Sequence, residues 1–200
     1  MPRAGLNRQV LVRTAAEMAD EIGFSNLTLA GLARRFDVRL ASLYSHLRNS
    51  DDLMTSVALY GLDLLADRAD EAVAGRAGKD ALVAVANVHR DFAYAHPGLF
   101  EAARHRLDAD AARDSGGARI SRITRTILRG YALSAVEQVH AVRLLGSVFA
   151  GYPMLELAGG FAHSDPDAQL SWQRALDALD AALRAWPTAW LPSPCFKRPE

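Results

Sequence analysis

Apolar residues in this chain recur three and four positions apart from Leu11 to Trp186, and nowhere do four or more alternate between turn signals. That period is the period of helices, so the sequence predicts an all-α fold. Leu11, Ala15, Met18, Ala19 and Ile22 mark a first helix that Gly23 stops. Thr28 is the expected N-cap of a second, short helix with Leu32, Ala33 and Phe36 on one face. Asp37-Val38-Arg39 interrupts it, and a third helix is expected to end near Leu47. Asn49 or Ser50 then caps a fourth, running to about Val73, with Asp51 and Asp52 favourable against the dipole of its first turn. Further helices are predicted over 79–95, just after Pro97, and over roughly 118–129, 134–158 and 166–186.

A length of 200 residues fits one large domain or a small one joined to a larger one. We expect a head over residues 1–50, a body over 51–190 and a Pro-rich tail over 191–200. Half the residues are hydrophobic, enough to bury a core, yet no apolar run is long enough to cross a bilayer. The opening MPRAGLNRQ lacks the apolar segment of a secretion signal, so an intact start is expected. A single cysteine, Cys195, forms no internal disulfide, which agrees with a cytoplasmic location. Charge is uneven. Residues 1–50 carry seven arginines against four acids, a net of +3, and the remainder carries −3. A basic head on an acidic body suggests that only the head meets a polyanion, although chance partition of surface charge would look the same.

The head has the pattern of a helix-turn-helix. Ala33 is small enough for the next helix to cross closely, and Val38 and Leu43 fill the wedge between the two. The turn favours a residue that tolerates a left-handed backbone, and Asp37 is one of the few acceptable replacements for Gly. With Leu43 and Leu47 turned inward, Ser42, Tyr44 and His46 are left toward the outside, where DNA would lie. A helical hairpin of another kind could imitate this arrangement.

The resemblance goes further than a generic hairpin. From Arg13 to Met54 the chain resembles the DNA-binding domain of the TetR family of transcriptional repressors. Ala15, Phe24, Thr28 to Ala33 and LYSHLRNSDDLM at 43–54 carry the likeness. The last piece is close to the family's Leu-Tyr-x-His-Phe-x-Asn-Lys-x-x-Leu signature. In the body, Tyr94-Ala-His-Pro-Gly-Leu-Phe and the stretch from Ala150 to Phe161 look like segments of one large TetR-type subgroup. The resemblance implies a three-helix DNA-binding head and a helical bundle for ligand binding and dimerisation. It also implies a homodimer on double-stranded, palindromic operator DNA, released by a small-molecule effector. Asp37 departs from the usual turn Gly. Ser50 replaces a Lys that would add a phosphate contact, which lowers the expected affinity.

At the matched positions, Tyr44 and His46 would hydrogen-bond phosphates, and Thr28 opens a helix whose free N–H groups make a phosphate seat. Arg39, Leu40, Ala41 and Ser42 would lead the recognition helix, Arg39 toward guanine or a phosphate, Leu40 and Ala41 toward thymine methyls. Arg48 completes the expected DNA-binding set. In the body, Trp172, Leu176, Leu179, Leu183 and Trp186 are spaced 4, 3, 4, 3. The family places its dimer interface on the last two helices, so this seam is the expected interface, with intrachain core as the alternative. Tyr60, His89, Phe92, His96, Phe100, Phe149 and Tyr152 are candidate pocket residues, or else ordinary core, and they suggest a mostly apolar ligand. His89 and His96 lie two turns apart without a carboxylate or Cys at ligand spacing, so no metal and no cofactor are expected. No nucleophile elbow or phosphate loop appears, which argues against an enzyme. The remaining alternative is a TetR-fold protein without effector response or operator binding, acting as a constitutive regulator or interaction module.

Overall fold

The computed structural model describes residues 6–186, and every regular element among them is helical. In order these are α1 (Arg8–Ile22), α2 (Leu29–Arg35), α3 (Ser50–Val73), α4 (Gly78–Ala95), α5 (Pro97–Ala102), α6 (Ala109–Arg113), α7 (Gly116–Leu128), α8 (Ala135–Leu157) and α9 (Ala168–Arg184). Single 3-10 turns lie at Phe24–Asn26 and Leu40–Leu43. The expected tail over 191–200, with Cys195, lies outside the described residues. The architecture is all-α, a helix-turn-helix head on a helical body.

Side-chain caps set most of the helix starts. Asn7 accepts from the Val10 amide at 2.9 Å, Thr28 from Gly31 at 3.0 Å and Asn49 from Asp52 at 2.8 Å. Asp108, Ser115, Ser134 and Asp167 do the same for α6 to α9. Each such cap contributes roughly 1 kcal/mol. Gly23, at φ 87°, ends α1 as the sequence suggested. Pro97 can neither continue α4 nor be missed as a donor in the first turn of α5, so the chain restarts there. Two elements differ from expectation. The third helix is reduced to the 3-10 turn Leu40–Leu43 followed by hydrogen-bonded turns to Leu47, whose amide bonds the Leu43 carbonyl at 2.9 Å. The short α6 was not foreseen; one cap and five residues give little periodicity.

Two apolar clusters form the interior. One joins α1, α2 and Leu43 and Leu47 to the first half of α3, the end of α4 and α5. The other joins the end of α3 to the start of α4 and to α7, α8 and α9. The 24 residues of α3, a rod of about 36 Å, are the wall that both share. The first cluster therefore continues past residue 50 through Leu53, Val57, Ala58 and Leu65 into the body. Trp172, Leu176, Leu179 and Leu183 are each less than a tenth exposed and line the second cluster, with Trp186 packed against it. These are the residues of the expected dimer seam, and within the chain they take the alternative place, in its own core. Its spacing shows that the face is covered, and here the cover is the chain's own α4 and α8.

The joint between head and body is where α5 lies across α1. A Cβ at Gly98 would stand 1.9 Å from the Ala19 carbonyl oxygen, so only glycine allows the approach. Asp20 secures it: one carboxylate oxygen accepts from the Leu99 amide at 3.0 Å, and the other meets His96 Nδ1 at 2.8 Å. Glu101 reaches back to accept from the Phe24 amide at 3.2 Å. Gly98→Ala forces the two backbones apart, and a loss of about 1–3 kcal/mol is expected from such overpacking. Urea unfolding should show a lowered midpoint; an unchanged midpoint would mean that α5 does not rest on α1.

Candidate nucleic-acid interface and body cavity

The helix-turn-helix is built around what its turn excludes from water. Leu32, Leu43 and Leu47 are fully buried and Ala33 nearly so, while Val38 is half-buried between them. Asp37 takes φ 52°, the left-handed conformation, and the Val38 amide bonds the Ala33 carbonyl at 3.1 Å, closing the turn. With those side chains inward, Arg39, Leu40, Ala41, Ser42, Tyr44 and Arg48 all stand exposed. Tyr44 is 52% exposed, unusual for an aromatic ring with so much apolar area to bury. His46 is half-buried beside it. Thr28 is exposed, with its oxygen engaged in the α2 cap and its hydroxyl proton free to donate outward. Arg34 adds an exposed cation at the end of α2, whereas Arg35 is bound on both nitrogens by Glu21.

A carboxylate that sequence reasoning treated only as a dipole partner fixes this surface in place. Asp52, in the first turn of α3, is almost wholly buried. Arg8, at the start of α1, grips both its oxygens at 3.0 and 2.7 Å and also donates to the His46 carbonyl at 2.8 Å and to Ser56 Oγ at 2.7 Å. The Arg48 amide donates to Asp52 at 2.8 Å. The Arg8 guanidinium holds the Asp52 carboxyl far below the usual carboxylate range; burial opposes this, and the Arg48 amide assists. The segment that follows Tyr44 is thereby tied to α1 and α3 at once. The signal for this was faint: a second acid in a helix start directly before a buried Leu53.

The seven candidate pocket residues are dispersed. Tyr60 and Phe100 belong with the head-side cluster, and Arg104 lies over the Phe100 ring. Phe92 is fully buried with the Arg68 guanidinium over its face. His96 bridges Asp20 and Arg68, each at 2.8 Å, at the head–body joint. His89 packs on Phe149 with Nδ1 2.8 Å from the Val85 carbonyl, and desolvation pushes its pKa down, which keeps it neutral. Tyr152 donates to the Ala168 carbonyl at 2.7 Å and packs on Phe161 and Trp172. None of the seven lines the open cavity of about 520 Å³ between the end of α3, the start of α4 and α7. That cavity is walled by Val73, Ala77, Ala81, Ile123 and Ile127, with Arg76, Arg119 and Arg122 among its polar residues. Among the described residues no cluster of three or more His, Cys, Asp or Glu is placed to hold a metal ion, and no helix is long and apolar enough to cross a membrane.

Known proteins share this architecture. Residues 82–179 match the family model described as tetracyclin repressor-like, C-terminal domain. The uncharacterized HTH-type transcriptional regulator YobS of Bacillus subtilis (strain 168) is 30% identical over 154 residues, 77% of this chain and 81% of the relative. A possible TetR family transcriptional regulator from Streptomyces coelicolor A3(2) superposes with a TM-score of 0.69 at 20% identity, over 90% of this chain and 99% of that one. A TetR variant from Acinetobacter baumannii AYE, solved in complex with minocycline, superposes with a TM-score of 0.71 at 19% identity, over 92% of this chain and 100% of that one.

The Asp52 site predicts a specific pH dependence. A depressed carboxyl pKa contributes stability in full above the ordinary value of 3.8, and the contribution disappears as pH falls below it. Asp52→Asn should therefore be less stable than wild type at pH 6 by about 2 kcal/mol, a figure kept low because Arg8 is half exposed. The gap should hold to pH 5 and narrow only below about pH 4, where the unfolded wild-type chain takes up a proton at Asp52 while the folded one still holds the carboxylate. Thermal melts of both proteins across this range would show it; a gap independent of pH would mean that the carboxylate charge contributes nothing.

Proposed function

Since the chain belongs to the TetR family of helix-turn-helix transcriptional regulators, we propose that it is a repressor that binds a palindromic operator as a homodimer and leaves it when a small, mostly apolar ligand occupies the body. It is a DNA-binding protein and not an enzyme. The observation that carries the operator reading is the exposed row from Arg39 to Ser42, with Tyr44 beyond it, standing on the buried pair Leu43 and Leu47. In this reading Arg39, at the start of the 3-10 turn, and Leu40, Ala41 and Ser42 within it meet base edges, and Tyr44, His46, Thr28 and Arg48 meet the flanking phosphates. Half-sites one helical turn apart, about 34–36 Å, would need two such heads held by a dimer. The cytoplasm, where the operator lies, is the compartment this reading requires.

The partner subunit's seat is proposed on α8 and α9, on the faces their own chain leaves open. Val136, Leu144, Met154, Leu155 and Leu157 of α8 and Leu170 of α9 are large apolar residues more than a third exposed. Gly146 and Gly151 lie on α8 with no atom within 4 Å of where a Cβ would stand, so its surface is shallow as well as apolar. Such an extent of exposed apolar side chains on one helix points to an interface.

Two experiments test the reading. Tyr44→Phe with His46→Ala should weaken binding to operator DNA, sought in the sequence flanking the protein's own gene, by about 1–3 kcal/mol for each lost group. Preference among sequences should barely change, because phosphate contacts carry no base identity. A gel shift showing wild-type affinity with circular dichroism unchanged would remove Tyr44 and His46 from the interface.

For assembly, Leu144 and Leu155 stand eleven residues apart, three helical turns, on nearly the same side of α8. Leu144→Glu with Leu155→Glu should give a monomer by sedimentation with helicity retained, since unpaired carboxylates cost several kcal/mol at an apolar interface. Leu179→Glu, placed in the buried seam, should instead unfold the chain. A dimer that survives the α8 pair would place the interface elsewhere.

A further inference from the structure

We infer that the cavity between α3, α4 and α7 is a binding site for an organic anion with an apolar body, a carboxylate on an alkyl or aromatic frame. The inference rests on the reading of the body as effector-binding and assigns that role a place and a ligand chemistry. The interior of the cavity is apolar: Val73 comes from the last turn of α3, Ala77 and Ala81 from the start of α4, and Ile123 and Ile127 from α7. Ala81, Ile123 and Ile127 belong to the second core, so a ligand there would rest on packed side chains. Its volume of about 520 Å³ lies in the range that encloses a drug-sized molecule.

The charges at this cavity are unbalanced. Arg119 sits between two carboxylates, donating to Asp67 at 2.8 Å and to Asp70 at 2.6 Å, a trio whose one surplus negative charge stands against the two positive charges of Arg76 and Arg122. Asp70 is the acid among the lining residues, and that pair engages it. Arg76 and Arg122 are exposed lining residues; the Arg76 guanidinium donates to the Ala72 carbonyl, and neither has a carboxylate partner among the described residues. Two unmatched guanidiniums beside an apolar interior favour a ligand that carries a negative charge at one end, because a guanidinium binds a carboxylate through paired, charge-assisted hydrogen bonds. The Thr126 side chain, exposed on the α7 wall, donates to the Arg122 carbonyl and so stays folded against its own helix.

Decanoate, decanol and decyltrimethylammonium share one tail and differ in head group, and calorimetric titration of each into the full chain tests the assignment. Decanoate should bind once per chain, at least tenfold more tightly than decanol, with decyltrimethylammonium weaker still. Arg76→Gln with Arg122→Gln should weaken decanoate tenfold or more and leave decanol unchanged, the unchanged alcohol serving also as proof of an intact fold. Thr126→Trp, which fills the mouth, should weaken both. No decanoate binding, or decanoate affinity untouched by the arginine pair, would overturn the site. If decanoate binds as expected yet operator affinity is the same with and without it, the site stands and the effector reading fails. If another small molecule releases the operator while decanoate does not bind, the effector reading stands and this site fails.

Discussion

Asp52 keeps its negative charge in a place that water hardly reaches, and it does so because the Arg8 guanidinium and the Arg48 amide come to it from two other parts of the chain. An unpaired carboxylate there would cost several kcal/mol, so the three segments are compelled to meet. The meeting point lies directly behind the recognition turn. Arg8 also takes the His46 carbonyl and the Ser56 hydroxyl, so the residues after Tyr44 have little freedom to swing without breaking several bonds together. A 3-10 turn of four residues would be a poor platform by itself. Anchored on one side by Leu43 and Leu47 and on the other by Asp52, it becomes a rigid one.

At the opposite end of α1 a second polar contact sets where the head stands on the body. His96 lies between Asp20 and Arg68, and its partners decide its tautomer. A carboxylate only accepts and a guanidinium only donates, so the ring proton sits on Nδ1 and Nε2 takes the arginine N–H. One imidazole thus links α1, α3 and the end of α4, next to the point where Gly98 lets α5 touch α1. Arg68 serves twice, since the same guanidinium covers the Phe92 ring.

Local chemistry was legible in the sequence wherever one residue type has one use. Thr28 and Asn49 cap, Gly23 stops, and Asp37 adopts the left-handed turn, all as their side chains and position suggested. What sequence could not resolve was who faces whom. The 4, 3, 4, 3 spacing of Trp172 to Trp186 states that a face is covered, and it reads the same whether the cover is a partner or the same chain. His96 on one face with His89 and Phe92 looked like part of a pocket lining, because its partner Asp20 is distant in sequence. Asp52 was hidden for the same reason, its counter-charge lying on α1. The cavity went unseen because Val73, Ala81 and Ile127 look like any other core positions until three helices are placed side by side.

The shared wall α3 also bears on how such a protein can be taken apart. A chain whose head and body each closed their own interior could exchange one for the other with a cut at residue 50. Here Leu53, Val57, Ala58 and Leu65 complete the head's interior, while Ala69 of the same helix belongs to the other. A head transplanted without the first half of α3 would arrive with an unclosed core, and one carried with it would bring half of a foreign body. Modularity in this chain therefore runs along a diagonal: the transferable unit is the head with α3 as far as Leu65, α5 and the end of α4, and its seam with the remainder is a line across a helix instead of a loop between two domains.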